Sequence, residues 1–245
     1  MRSQANVSIL KHGKRIVKSL APAKVIQARL HQKVMMDFAE RVGLVYFGYV
    51  DQRNDEHRLV RGLTLSLHHR DNHYCIGTFQ GYDMTLVERT DTITFPGKAR
   101  QAHDWIIMEF DLHTSVEIPH IFVGLRSHND IFYSQLFTKY PTLARAPLGA
   151  FSGYLASFTN KYAVFTAPVH IAAAQHLIDP SVAQVMGDHF GSLMVEISDG
   201  SVYIYAEGQR PTQALLDRML KFGIWLASSI DARVSPKPQT ETPSF

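Results

Sequence analysis

Apolar residues at the start of the chain recur at helical spacing. Over residues 6–20, Lys11, Lys14, Arg15 and Lys18 stand at i, i+3, i+4 and i+7 and share one face. Ile9, Ile16 and Leu20 fall roughly opposite, with Leu10 and Val17 flanking them, and Pro22 breaks the pattern. A second helix is expected from Lys24 to about Val42. In it Ile26, Leu30, Val34, Phe38 and Val42 recur every fourth residue, and Met35 and Ala39 widen the stripe. Gly43 is a natural stop, because it takes the left-handed conformation without a side-chain penalty. The stripe predicts that Ile26, Leu30, Val34 and Phe38 are buried against the body.

Beyond Gly43 the period changes to two. Leu44–Val50 is a strand candidate, the polar run Asp51–Glu56 a turn, and Leu59, Leu63, Leu65 and Leu67 line one side of a further strand. His69–Asn72 reads as a turn, followed by strands at Tyr74–Phe79 and Tyr82–Glu88 joined through Gln80-Gly81. Pro96–Ala102 reads as a loop. Trp105–His113 alternates cleanly, with Ile106, Met108, Phe110 and Leu112 on one face and Glu109, Asp111 and His113 on the other. Ile118–Leu125 is another strand, and 127–160 is irregular apart from a short helix over Ile131–Phe137. Then come a strand at Tyr162–Thr166 and helices at Pro168–Ile178 and from Asp179-Pro180 to about Phe190. A hairpin at Leu193–Ser198 and Val202–Ala206 turns on Asp199-Gly200, and a last helix runs from Pro211 to about Val234. Leu216, Leu220, Gly223, Ala227 and Ile230 mark that helix's core face. The pattern predicts an α+β fold: an antiparallel sheet, or two, built from a β-meander, with N-terminal helices and a long C-terminal helix. It divides the chain into a basic helical segment (1–43), an α+β body (44–234) with two sub-regions splitting near 127–160, and a disordered tail (235–245).

Charge sharpens this division. The net charge is only +3, yet residues 1–36 hold eight basic residues and no acid. A basic head on a mildly acidic body implies that the two parts meet different surfaces. Without a Ser-rich character or an apolar signal core, the head matches a targeting peptide in charge alone. The expected place is the cytoplasm, peripheral at the inner membrane face. No apolar run reaches the roughly 18 residues a membrane span requires.

Familiar chemical motifs are absent. The sequence contains no G-x-x-x-x-G-K-[ST], no G-x-G-x-x-G and no H-E-x-x-H. Gly149–Gly153 (GAFSG) misses a nucleophile elbow, since Ser152 is one position off. The single cysteine, Cys75, excludes an intrachain disulfide and any zinc site with two thiolates, and its strand setting makes it a small buried hydrophobe. His57, His68, His69 and His73 cluster near Asp71, where ordinary turn chemistry competes with metal binding. Glu109, Asp111 and His113 read as the solvent side of a strand, or else as paired carboxylates flanking a substrate. Met219, Phe222 and Trp225 read as helix-on-sheet packing. No cofactor is called for.

Four stretches carry a resemblance: LVYFGYVDQRNDEHRLVRGLTLS (44–66), HRDNHYCIGTFQGYDMTLVERTDT (69–92), IMEFDLH (107–113) and HFGSLMVEISDGSVYIYAE (189–207). They resemble uncharacterised proteins of bacteria with reduced genomes, over about residues 35–232. The arrangement also looks like bacterial domains of unknown function that follow a membrane segment, which this sequence lacks. The resemblance implies a bacterial cytoplasmic setting and carries over no catalytic residue. The expected function is a non-enzymatic binding or scaffold protein that docks to an acidic surface through Lys11, Lys14, Arg15 and Lys18. An anionic membrane or a partner protein is the expected surface. Nucleic acid is disfavoured because no aromatic platform interleaves the basic residues. The alternative is a metal-dependent hydrolase or other enzyme built on the His-rich turn or the acidic strand.

Overall fold

The computed structural model describes residues 25–49, 60, 62–63, 69–93, 97 and 101–234. The helix expected over 6–20 and the tail expected from Ser235 lie outside the described residues. The elements begin with α1 (25–42), β1 (Val45–Tyr49), β2 (Arg70–Phe79), β3 (Tyr82–Ile93), β4 (Gln101–Asp111), β5 (Ile121–Leu125), α2 (Asp130–Leu136) and β6 (Ala144–Arg145). They continue with α3 (Ala156–Thr159), β7 (Tyr162–Thr166), α4 (Ile171–Leu177), α5 (Pro180–His189), β8 (Met194–Ser198), β9 (Ser201–Glu207) and α6 (Gln213–Val234). The nine strands form one sheet in the order β1-β2-β3-β4-β9-β8-β5-β7-β6, with every neighbouring pair antiparallel. The fold is α+β as the pattern predicts, and where the sequence allows two sheets there is one.

Two hairpins turn as their residues dictate. Asp199-Gly200 has φ of 52° and 77°, and Gln80-Gly81 has 50° and 86°. Both central residues are positive, as a type I′ turn needs. Elsewhere local polarity misleads. β2 begins at Arg70, so the expected turn at His69–Asn72 is largely strand; Asp71 finds its partner in Arg89 on the neighbouring strand. The leucine alternation over 59–67 does not give a strand at its described positions. Val60, Gly62 and Leu63 form a bend and a turn, with Gly62 at φ +92°. The expected Pro96–Ala102 loop is also shorter, because β4 already starts at Gln101.

The sheet is covered on both faces. On the first lie Phe38 and Val42 of α1, together with α4, α5 and α6, over Leu86, Met108, Ile197 and Ile204. On the second, α2, Val60 and Leu63 cover Val87, Trp105, Ile107, Phe122 and Tyr205. Helix α6 lies across β4 and β9. Its buried Leu216, Met219, Leu220, Phe222, Gly223, Ala227 and Ile230 follow the helical period. Gly223 is required by contact, since a Cβ there would enter the ring of Phe110. Asp231 pins the far end of α6, accepting from Tyr82 Oη at 2.8 Å and from the His113 backbone N–H at 3.1 Å.

Only part of the α1 stripe is buried. Phe38 is fully covered and Val34 partly, but Ile26 and Leu30 are each 58% exposed. The polar ties of α1 to the body begin at His31, whose Nδ1 lies 3.3 Å from Glu88 Oε1. Gln213 Nε2 then donates to Val34 O at 3.2 Å, and Arg41 donates to Gln213 and Asp217. The turns before His31 project past this anchorage.

Two stabilities test the packing. Phe38→Ala should cost about 3–5 kcal/mol in chemical denaturation. Gly223→Ala should lose about 1–3 kcal/mol by overpacking, although alanine is the better helix former by about 1 kcal/mol. Phe110→Leu should restore part of that loss; a Gly223→Ala protein as stable as the parent would contradict the close approach.

Candidate functional site

Lys11, Lys14, Arg15 and Lys18 lie outside the described residues. The stretch that follows them is described. Val25, Ile26, Arg29 and Leu30 are exposed in the first turns of α1, with Lys33 exposed beyond them. At about 100° per residue, Arg29, Lys33, Ile26 and Leu30 are angular neighbours. Basic and apolar groups therefore share one solvent-facing surface.

The histidine-rich turn does not converge. His57 and His68 lie outside the described residues. A bulge between Asn72 and Cys75, with His73 at φ 55°, sends Asp71 and His73 to opposite faces. On the second face Arg89 grips Asp71 in a fork, Nε to Oδ1 and Nη2 to Oδ2, both 2.7 Å, and also donates to Val60 O at 2.9 Å. On the first face His73 Nδ1 lies 2.8 Å from Tyr46 Oη, and its Nε2 lies 3.6 Å from Glu88 Oε2. Burial holds His73 below the ordinary histidine range, with Glu88 opposing and His31 assisting. Among the described residues, no group of three or more His, Cys, Asp or Glu side chains is placed to hold a metal ion.

The acidic strand also departs from its expected arrangement. Glu109 and Asp111 share the second face, as period two demands, and Asp111 at the strand end is exposed as expected, but at Glu109 that face is covered. Trp105 and Ile107 beside them are buried, and so is Glu109. Burial pushes the Glu109 carboxyl up to about 7, against a hydrogen bond with Tyr203 and aided by the charge of Asp111. Ser201 donates to Asp111 Oδ1 at 3.0 Å. His113 leaves the group because β4 ends at Asp111. Its ring stacks on Tyr82, 4.3 Å between centroids, with Nδ1 3.5 Å from Asp231.

Sequence reasoning missed the strongest buried polar centre, Glu196 on β8. It is fully covered, with Oε1 2.7 Å from His120 Nε2 and Oε2 accepting from the Leu63 N–H at 2.9 Å and from Tyr205 Oη. Gly62 is needed there: a Cβ would collide with Tyr205 Oη and come within 3.0 Å of Glu196 Oε2. The available signal was a lone acid inside the apolar run Met194–Ile197, opposite Tyr203 in register. At one end of the neighbouring β4–β9 ladder Glu207 is shared by His103 Nδ1 at 3.2 Å and His128 Nε2 at 2.5 Å. Burial alone would raise Glu207, but those two hydrogen bonds outweigh it and hold the carboxyl at about 2.

These acids pair with side chains of the same layer. Cys75 is fully buried, and burial pushes its thiol up to about 12, so little thiolate exists at neutral pH. Ser152 Oγ donates back to Gly149 O at 3.0 Å, not to a base. Met219 and Phe222 are core, Trp225 is partly covered, and Phe222 stacks on Phe190 at 4.2 Å.

No protein-family model and no curated protein matches the chain. Among solved structures it is similar to the crystal structure of the mycobacterial trehalose monomycolate transport factor A, TtfA. The identity is 10% and the TM-score 0.55, over 85% of this chain and 98% of that one. At that identity the likeness is one of fold.

Glu109 makes the site testable by pH. Its folded pKa of about 7 lies above the ordinary 4.5, so the folded state holds the proton more tightly. Its ionisation therefore erodes stability as pH rises from about 4.5 to 7, by about 3 kcal/mol in all. Glu109→Gln cannot ionise. Urea denaturation should show the variant gaining on the parent by that amount between pH 4.5 and 8, whereas a pH-independent difference would place Glu109 in water.

Proposed function

We propose that the protein is a non-enzymatic binding or scaffold domain that docks on an anionic membrane surface. The contact is made by its basic N-terminal segment and the projecting turns of α1. The observation that carries this reading is the exposed face of Val25, Ile26, Arg29, Leu30 and Lys33, continuous in sequence with an acid-free stretch of basic residues. Such a face lies in the headgroup region with its apolar side sunk about 5–10 Å. Each basic group near an anionic leaflet adds about 1 kcal/mol. The anchored half of α1 supports the reading from behind, because the ties from His31 to Arg41 fasten the helix to β3 and α6. The internal pairing of Asp71, Glu109, Glu196 and Glu207 favours a binding role over catalysis. TtfA is a mycobacterial trehalose monomycolate transport factor, and a docking domain is in keeping with that use of the fold. Among the described residues no helix is long and apolar enough to cross a membrane. The attachment proposed is peripheral, at the inner face of a bacterial membrane.

Cosedimentation with phosphatidylglycerol-containing vesicles tests this. Charge reversal at Lys11, Lys14, Arg15 and Lys18 together should lower binding by about 10³-fold or more, from four contributions of about 1 kcal/mol. Ile26→Gln with Leu30→Gln should weaken binding further, raised salt should weaken it in the parent, and Glu109→Ala should leave it unchanged. Binding that survives the charge reversal, or a parent that binds no anionic vesicle at low salt, would refute the docking role. Tighter binding to nucleic acid at the same salt would redirect it.

A further inference from the structure

We propose that a pocket at the opposite edge of the sheet binds a small amphiphilic anion: a carboxylate carrying an apolar body of about six heavy atoms. The strand order places β7 and β6 at the far end from β1, and the pocket opens there on the first face. It has a volume of about 150 Å³ and is lined by Arg126, Ala146, Phe151, Ser152, Phe158 and Val164 among others. The irregular segment around GAFSG builds its outer wall: Pro147 leads into a 3-10 turn at Leu148–Phe151, and α3 closes the side with Phe158. Phe151, Phe158 and Val164 belong to the core of the first face, so the floor is apolar and well packed.

Arg126 gives the pocket its sign. Its backbone N–H donates to Lys161 O at 2.8 Å and its Nε to Tyr162 O at 2.7 Å, which fixes the plane of the guanidinium. Its two terminal nitrogens have no partner among the described residues. Arg145 also borders the pocket, but its Nη2 pairs with Asp130 Oδ1 at 2.6 Å and its guanidinium lies over Phe165. One preoriented guanidinium, solvent-facing and without an ion-pair partner among the described residues, stands beside an apolar cavity and matches a carboxylate that takes a bidentate pair of hydrogen bonds. A cavity of about 150 Å³ accommodates a group the size of benzene, which sets the apolar part at a six-carbon chain or one ring. Acetate and inorganic phosphate would satisfy the arginine and leave the wall unfilled; a neutral alcohol of the same shape would fill the wall and leave the arginine unpaired.

The test is titration of the full chain with hexanoate and benzoate, followed by calorimetry and by methyl NMR at Ala146, Ala163 and Val164. The expected result is saturable one-to-one binding of at least one of the two, with shifts confined to those methyls. Hexanol, benzyl alcohol and acetate should bind at least tenfold more weakly. Arg126→Gln and the pocket-filling Ala146→Phe should each weaken the carboxylate at least tenfold, and Arg126→Lys, which keeps the charge and loses the fork, should fall between. The proposal is overturned if neither carboxylate saturates, if the folded Arg126→Gln binds as the parent does, if the alcohols or acetate bind equally well, or if the shifts map elsewhere. Should Arg126→Gln not fold, Arg126→Lys and the alcohol comparison decide. Vesicle binding is measured separately, so failure here leaves the docking face untouched.

Discussion

The ladder between β4 and β9 is the constraint on which the rest of the molecule depends. Seven residues of each strand pair there, from Trp105 opposite Glu207 to Asp111 opposite Ser201. This joint fuses the meander β1–β4 to β9, β8, β5, β7 and β6, and makes one sheet of what would otherwise be two. Both of its faces are covered except at the Asp111 end. Ile106, Met108 and Phe110 meet α6 on one side, and Trp105, Ile107 and Tyr205 meet the second layer on the other. The bare backbone at Gly223 lets α6 settle directly on Phe110, so the helix presses the two halves together at their common edge.

A joint buried on both sides leaves little water for the acids that it carries. Glu109 and Glu207 stand on its strands, and Glu196 pairs with Tyr203 one strand further on. All three occupy the second layer, and the fold answers each differently. Glu196 receives three donors, Glu207 two histidines, and Glu109 a tyrosine with a raised pKa. Burying a carboxylate without partners would cost several kcal/mol, so these arrangements are conditions for closing the layer. In the Glu196 and Glu207 groups the donors and acceptors point at each other.

Where local chemistry decides structure, the sequence is readable. Asp199-Gly200 sets its turn by φ alone, and the α6 stripe sets its buried face by period alone. Where a neighbour decides, it is not. Periodicity grouped Ile26 and Leu30 with Phe38, but it says which residues share a face and nothing of whether a body lies beneath it. Alternation put Glu109 on a polar side that turned out to have a cover, and a bulge at His73 separated it from Asp71. Gly62 looked like a strand residue, while its actual role is to let a loop approach Tyr205 and Glu196. The pocket beside Arg126 lay in the segment with the least regular pattern, because its walls come from α3, β7 and a 3-10 turn that meet only after folding.

The spacing of the joint has a consequence for biosynthesis. β4 ends at Asp111, but its partner strand begins at Ser201, and α6 follows later still. While a ribosome works through the intervening stretch, β4 has one unclaimed edge and two greasy faces, the kind of surface that draws unwanted strand partners. The distance also raises the contact order, which slows closure once the last strand emerges. A nascent chain of this protein therefore passes through a long vulnerable interval, during which shielding by a chaperone or by its own early meander governs how much of it reaches the finished sheet.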